Sequence, residues 1–171
     1  MAIVPDTKDW TWVLARPCPD CGYDASTVAA VEVAGRLRDN AARWQDVLRR
    51  DNVAERPSTD RWSPLEYGCH VRDVFVLYRE RLDLMLDTDD PLYPNWDQDV
   101  TAVERRYSEQ DPTQVAADLA TAAERLATRF DDVTDSAWQR PGRRSDGATF
   151  TVDTFSRYLL HDVVHHLWDV R

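Results

Sequence analysis

The sequence predicts an all-α protein, a four-helix bundle with an irregular N-terminal arm. Four long stretches repeat apolar residues at helical spacing, and no segment gives convincing evidence of a sheet. The chain has 171 residues, of which 43% are hydrophobic and seven are tryptophan, enough for one domain with a sizeable core. Residues 1–23 are predicted to form the arm, and residues 24–171 the bundle.

The first two helices follow from an apolar stripe and a start signal. A helix is predicted over residues 24–50. Its stripe consists of Val28, Val31, Leu37, Ala41, Trp44 and Leu48. The second helix is predicted over residues 63–86. Ser63 can cap it, Pro64 fits the first helical position, and Glu66 can reach back to the N–H of the cap.

The connection to the third helix is long, so the bundle can contain a crossover and need not run simply up and down. Residues 87–100 are predicted to form an acidic loop, and a short helix is predicted over 97–107. The third helix is predicted over 111–130. The turn-rich residues 131–150 can hold a short hairpin. The last helix opens near residue 151 and runs almost to the end of the sequence.

Composition excludes several partners. The formal net charge is −10, and no basic run is longer than a pair, so duplex nucleic acid and anionic membranes are unsuitable partners. No apolar stretch reaches 18 residues, and Met1–Asp9 lacks a secretory pattern, so we expect a cytoplasmic protein. Lys8 is the only lysine beside many arginines, which suggests a GC-rich bacterial genome.

Three of the four histidines are predicted to bind one divalent metal ion. His161 and His165 lie one turn apart on a largely apolar helix, and His70 lies on another inward-facing helix. Zinc is the first choice, with nickel and iron as alternatives. Three imidazoles leave a coordination position open, as catalytic sites do. The alternative is a histidine pair that lies on a solvated face or pairs with acidic residues. His166, rotated by about 100°, is given a packing or surface role.

Carboxylates at helical spacing can support the histidines. Asp73 follows His70 by three residues and Asp169 follows His165 by four, so either can accept the outer ring N–H of a ligand. Glu66 precedes His70 by four residues, although capping already explains it. A solvated helix charge is the alternative interpretation of all three.

Three cysteines do not form a secreted disulfide framework, because the number is odd. Cys18 and Cys21 form a C-x-x-C pair that can be half of a zinc site, a redox pair or two buried thiols. If the arm packs over the mouth of the bundle, these thiols lie near the metal. Cys69 is interpreted as a small buried hydrophobe.

The segment Trp62-Ser63-Pro64-Leu65-Glu66-Tyr67-Gly68-Cys69-His70-Val71-Arg72-Asp73, followed about ninety residues later by His161-x-x-x-His165, resembles the DinB-like family, also called YfiT-like metal-dependent hydrolases. The resemblance covers about residues 26–170. It implies a four-helix bundle whose metal is held by His70, His161 and His165, and it suggests a homodimer. The arm with its C-x-x-C departs from the family pattern.

The family includes enzymes similar to maleylpyruvate isomerases and S-transferases that use mycothiol or bacillithiol. The resemblance therefore implies that the metal activates a small thiol, here mycothiol, for transfer to an electrophilic substrate. Tyr158 and Trp168, with Trp62 and Trp96, could line the thiol pocket, with core packing as the alternative. One alternative function is a hydrolase that uses metal-bound hydroxide, with Glu66 or Asp73 as base. Another is a non-catalytic metal-binding stress module.

Overall fold

A computed structural model of the chain describes Ile3 and residues 9–171. Part of the predicted arm, and most of the segment in which a secretory pattern was sought, lie outside these residues. The α-helices are α1 (Val33–Val47), α2 (Pro64–Asp87), α3 (Gln98–Glu104), α4 (Pro112–Asp131) and α5 (Val152–Asp169). The strands are β1 (Leu92–Tyr93), β2 (Pro141–Arg144) and β3 (Thr149–Thr151). Four long helices and one short helix confirm the predicted all-α bundle.

The long helices do not pack in sequence order. α1 and α2 each pack against α4 and α5, so the first two helices lie diagonally across the bundle. The long connection that contains α3 makes this crossover feasible. Within the described residues, no helix has the length and apolar character needed to cross a membrane.

A small sheet lies beside the bundle. β2 and β3 pair antiparallel, which confirms the hairpin predicted in the turn-rich segment, and β1 adds in parallel to β2. The register pairs Gly142 with Phe150. A Cβ at Gly142 would lie 2.7 Å from the Met85 side chain, so only glycine permits this close approach of the strand to α2.

α1 begins later than the apolar stripe predicted. Two 3₁₀ turns, Ala25–Thr27 and Ala30–Glu32, precede Val33. The Asp24 carboxylate accepts hydrogen bonds from the N–H and the hydroxyl of Ser26, which favours a local turn over a helix. Val28 then adopts an extended conformation and is buried. Val28 is therefore buried, as predicted from the apolar stripe, although it does not lie in a helix.

The predicted start of α2 is confirmed in detail. Ser63 Oγ accepts a hydrogen bond from the Glu66 N–H at 3.2 Å, and Glu66 Oε2 accepts one from the Ser63 N–H at 2.8 Å. Pro64 occupies the first helical position. Glu66 is almost fully buried and also forms an ion pair with Arg56. This locally determined start sets the residue at which α2, the helix that carries His70, begins.

Candidate metal sites

α5 carries two pairs of metal-ligating side chains at the same spacing. His161 and His165 form one pair, and Asp162 and His166 form the other, rotated by about 100° around the helix. Each pair meets different partners. In the first group are Cys18, Cys21, His161 and His165; in the second are His70, Asp162 and His166. Within each group, one ligand atom of every residue lies within 4.8 Å of the others.

The second group faces α2, and its donors converge on one carboxylate oxygen. Asp162 Oδ1 lies 2.9 Å from His166 Nε2 and 3.8 Å from His70 Nε2. On its other side, the His166 ring pairs through Nδ1 with Asp169 Oδ2 at 2.9 Å. A carboxylate behind a histidine fixes its tautomer and aims its second nitrogen, as in metal sites. Two imidazoles and one carboxylate suit a divalent ion with open coordination positions.

His70 is enclosed by aromatic rings. Its ring stacks on Trp96 with a centroid distance of 5.3 Å and an interplanar angle of 6°. The Trp62 ring lies 5.4 Å away and the His166 ring 4.7 Å away. His70 is fully buried, and neither ring nitrogen has a hydrogen-bond partner among the described residues. Because unsatisfied buried nitrogens are costly, this environment fits a residue whose partner is a metal ion.

Burial and proximity set the charge of this group. Burial disfavours the charged form of Asp162, but the imidazoles of His166 and His70 outweigh it and hold the pKa of Asp162 below its usual range. Burial also opposes the protonation of His166, yet the pairs with Asp162 and Asp169 raise its pKa to about 9. Burial lowers the pKa of His70. Without a metal ion, the group therefore pairs an ionised Asp162 with a protonated His166. A metal cation could take the place of the proton on His166.

The first group faces the N-terminal arm. Cys18 Sγ lies 3.7 Å from His165 Nδ1, and the ring centroids of His161 and His165 are 5.1 Å apart. Cys18 and His161 are buried, and His161 Nε2 has no hydrogen-bond partner among the described residues. Burial lowers the pKa of His161 to about 4, which keeps its imidazole neutral, and raises the pKa of the Cys21 thiol to about 11.

Both pairs of α5 border one large cavity. Its volume is about 1190 Å³, and its wall includes His161, Asp162, His165 and His166. Trp62 and Trp96 also line it, as do Trp10 and Asp20 from the arm. The cavity is therefore bordered by the arm, α2, α5, the connection between α2 and α4, and the hairpin of β2 and β3.

A buried cation lies on the cavity wall. Arg81 of α2 lines the wall and is almost fully buried. Its guanidinium donates to the Pro94 carbonyl at 2.7 Å and lies 4.8 Å from the centre of the Tyr93 ring. Within the described part of the chain, the neighbouring α2 arginines Arg72 and Arg79 pair with Asp73 and Asp83, whereas Arg81 forms no ion pair. Arg144, which lines the same cavity, is instead paired with Asp146 at 2.8 Å.

Comparison with known proteins assigns the family. The model described as the DinB superfamily matches residues 50–170. The chain belongs to the DinB superfamily. No curated protein matches it in sequence. Among solved structures it is similar to YfiT from Bacillus subtilis, described as a probable metal-dependent hydrolase with an unusual four-helix bundle topology. The TM-score is 0.73 at 16% identity, covering 84% of this chain and 88% of YfiT, which shows a shared fold.

The three histidines predicted to share one ion in this DinB protein are divided between the two groups. The structure brings His161 and His165 together, but it places His70 with Asp162 and His166. The three-histidine set stays a prediction as a ligand set. Sequence reasoning missed Asp162 as a donor and gave His166 only a packing or surface role. The signal was present, because Asp162 and His166 repeat the four-residue spacing of the histidine pair.

The other predicted site residues take various places. Asp169 supports His166 and not His165. Asp73 forms ion pairs with Arg72 and Arg105 and accepts a hydrogen bond from Tyr107. Glu66 lies at the cap of α2, and Cys69 is buried in the core. The cavity wall includes Tyr158, Trp62 and Trp96, and the Trp168 ring packs against the His165 ring.

Proposed function

We propose that this DinB protein is a metal-dependent enzyme that transfers a low-molecular-weight thiol to an electrophile, with its catalytic ion held by His70, Asp162 and His166. The observation that carries the proposal is the convergence of two imidazole nitrogens on the Asp162 carboxylate at the wall of a large cavity. A divalent ion bound there would favour the ionised, nucleophilic form of a thiol at neutral pH. Zinc is the first choice, with nickel and iron as alternatives.

The chain supplies orientation and shielding. The contact of Asp169 with His166 Nδ1 would fix the tautomer of the ring and leave Nε2 available to hold the ion. Trp62 and Trp96 cover the His70 ring and keep water from its nitrogens. The sulfur of the thiol bonds to the electrophilic carbon, its proton leaves to solvent, and the leaving group departs with the bonding electron pair. No side chain has to act as general base for this reaction.

The size of the cavity supports two substrates. Ligand pockets typically have volumes of roughly 300 to 1,000 Å³. A cavity of about 1190 Å³ lies above this range and is large enough for a polar thiol cofactor beside a second molecule. Mycothiol is the proposed thiol, because the excess of arginine over lysine suggests a GC-rich bacterial genome and mycothiol is a thiol expected in such bacteria. A reaction that consumes a reduced thiol also matches the predicted cytoplasmic location.

Arg81 supports an anionic substrate. Among the described residues, the buried guanidinium has a backbone acceptor and two tyrosine rings beside it, so it would gain strongly from a carboxylate or phosphate. Because Arg81 lies on the cavity wall, one of the two substrates is proposed to carry such a group. Arg144 is a weaker candidate, since Asp146 already neutralises it.

Hydrolysis is the second candidate. It is favoured by the fold shared with YfiT, whose description is that of a probable metal-dependent hydrolase. The two bases predicted for it, however, are both engaged. Glu66 pairs with Arg56, Asp73 pairs with two arginines, and neither carboxylate lies on the cavity wall. This arrangement favours thiol transfer, in which a general base is not required.

The test is a thiol-dependence assay of zinc-loaded protein. Mycothiol and monochlorobimane are supplied together, and ester and amide hydrolysis is followed with and without thiol. We expect metal-dependent conjugation that His70→Ala and Asp162→Asn reduce at least about 100-fold. Asp46→Asn, an exposed carboxylate of α1, is the control. Thiol-independent hydrolysis would support the second candidate instead. Bound metal without either activity would leave a metal-binding module and overturn both enzymatic proposals.

A further inference from the structure

The side chains that α5 turns toward the arm form a second cluster, which the proposed reaction does not use. Cys18 and Cys21 from the arm meet His161 and His165, and their four donor atoms lie within 4.8 Å of one another. Two thiols and two imidazoles are the donor set of structural zinc sites. The sequence carries the matching pattern, C-x-x-C followed by H-x-x-x-H.

We propose that Cys18, Cys21, His161 and His165 form a closed four-ligand zinc site that fastens the arm to α5. The distances fit a tetrahedral ion. Usual zinc–nitrogen and zinc–sulfur bond lengths place neighbouring ligand atoms about 3.3 to 3.8 Å apart. The Cys18 Sγ to His165 Nδ1 distance of 3.7 Å lies in this range, and the limit of 4.8 Å requires only small movements of the others.

A buried nitrogen independently points to a ligand. His161 is only 4% exposed, and its Nε2 has no hydrogen-bond partner among the described residues. Its other surroundings are aromatic, with the Trp10 ring at 5.4 Å and the Tyr23 ring at 5.7 Å. Such a nitrogen is costly unless a metal or a donor occupies the position in front of it.

The backbone of the arm presents both sulfurs together. The Gly22 N–H bonds to the Cys18 carbonyl at 2.9 Å, and the Cys18 N–H bonds to the Tyr23 carbonyl at 2.8 Å. Gly22 has φ of +74°, a left-handed conformation that glycine adopts without strain. The tight turn therefore brings Cys18 and Cys21 to the same side. Glycine is required here by the turn and not by space, since no atom lies within 4 Å of the Cβ position.

The turn is anchored on α5 by other contacts. The Tyr23 hydroxyl donates to the Arg157 carbonyl at 2.7 Å, and the Arg157 guanidinium donates to the Ala25 carbonyl at 2.8 Å. The cysteines do not appear on the cavity wall, whereas the two histidines do. Four protein ligands with the sulfurs away from the cavity make a structural site, in contrast to the open three-ligand group. Its consequence is a fixed arm, which supplies Trp10 and Asp20 to the wall.

The proposal is independent of the proposed reaction, since the two sites share no ligand. To isolate it, the catalytic group is removed with His70→Ala and Asp162→Asn, and the untagged protein is loaded with cobalt as the probe. We expect about one cobalt per chain, with the sulfur-to-cobalt charge-transfer absorption and tetrahedral d–d bands of a mixed thiolate and imidazole site. Cys18→Ala with Cys21→Ala should abolish both signals, whereas Cys69→Ala, a buried cysteine outside the cluster, should keep them.

Zinc loading of the same protein gives a second readout. Removal of zinc, or the double cysteine substitution, should lower the Tm by about 10 °C or more, because metal-coupled packing of the arm is lost. If the double variant does not fold, Cys21→His replaces one ligand by another and should keep the metal with weaker charge-transfer absorption. Metal uptake that does not depend on the cysteines would overturn the proposal. So would a Cys18–Cys21 disulfide in freshly purified protein that takes up no metal.

Discussion

The two sides of α5 carry pairs with the same spacing in different surroundings. Toward α2, Asp162 and His166 meet one further ligand, His70, and border the cavity. Toward the arm, His161 and His165 meet two thiols. Three ligands with a carboxylate leave coordination positions free for chemistry, whereas four ligands with two thiolates close the sphere. The element that each pair faces, and not the four-residue spacing of the pair, therefore sets which ligands a metal ion would meet.

The largest expected effect comes from removing either of two adjacent histidines, His165 or His166. His166→Ala should remove the ion of the α2 side and reduce activity at least about 100-fold, while the zinc of the arm side stays. His165→Ala should do the reverse, lowering the Tm and retaining the ion of the α2 side. Elemental analysis and the thiol-transfer assay on both variants measure this division.

The same pair of variants tests the three-histidine set predicted from sequence. If His70, His161 and His165 share one ion, His165→Ala must abolish the catalytic metal and His166→Ala must leave it in place. That outcome would contradict the division into two sites. The two substitutions lie on adjacent residues of one helix, so each serves as the control for the other.

Features set by neighbouring residues could be predicted from the sequence, whereas contacts between distant parts of the chain could not. The capping box of Ser63 and Glu66 is written in four consecutive residues, so the start of α2, and with it His70, could be predicted. The rotation of α5 about its axis decides which side chains face α2. Successive residues differ in direction by about 100°, so a small error in the rotation changes the choice. Spacing alone therefore could not choose between His161 and Asp162. The approach of Cys18 to His165 joins opposite ends of the chain, and no periodicity encodes it.

A tenfold to hundredfold effect is expected from the carboxylate behind His166. Asp169→Asn keeps the shape of the side chain but removes the charge that orients the ring. We expect metal affinity on the α2 side to fall by about 10- to 100-fold, with no change on the arm side. Competition with a chromophoric chelator measures both affinities, and Asp118→Asn on the surface of α4 is the control. An equal fall in both affinities would mean that Asp169 supports α5 as a whole.

A smaller effect, confined to one class of substrate, is expected at Arg81. Arg81→Met keeps the buried stem and removes the unpaired cation, so the KM for an anionic electrophile or thiol should rise about tenfold. Neutral substrates should be unaffected, and so should the metal content. Arg79→Met, an exposed residue of the same helix, is the matched control. If the KM rises equally for neutral substrates, Arg81 shapes the cavity and does not bind an anion.

The smallest effect is expected at Glu66 and concerns the stability of the fold, not metal binding. Glu66 is buried in the cap of α2, four residues before His70, and should contribute to folding but not to either site. Burial alone would raise its pKa, but the Arg56 ion pair and the Ser63 N–H outweigh it, so the pKa is lowered. Its stabilising contribution is therefore complete above the unfolded pKa of about 4.3 and is lost as the pH falls through the folded value.

Glu66→Gln should accordingly lower the free energy of unfolding of the metal-free protein by about 1 to 2 kcal/mol at pH 7, as measured by urea denaturation. This difference from the wild type should become smaller below about pH 4. The metal affinity of both sites should not change. Glu124→Gln, which breaks an exposed ion pair with Arg38, should cost less. If Glu66→Gln instead weakens metal binding on the α2 side alone, the cap also positions His70. Metal affinity on that side would then depend on Glu66 in addition to the three ligands and Asp169.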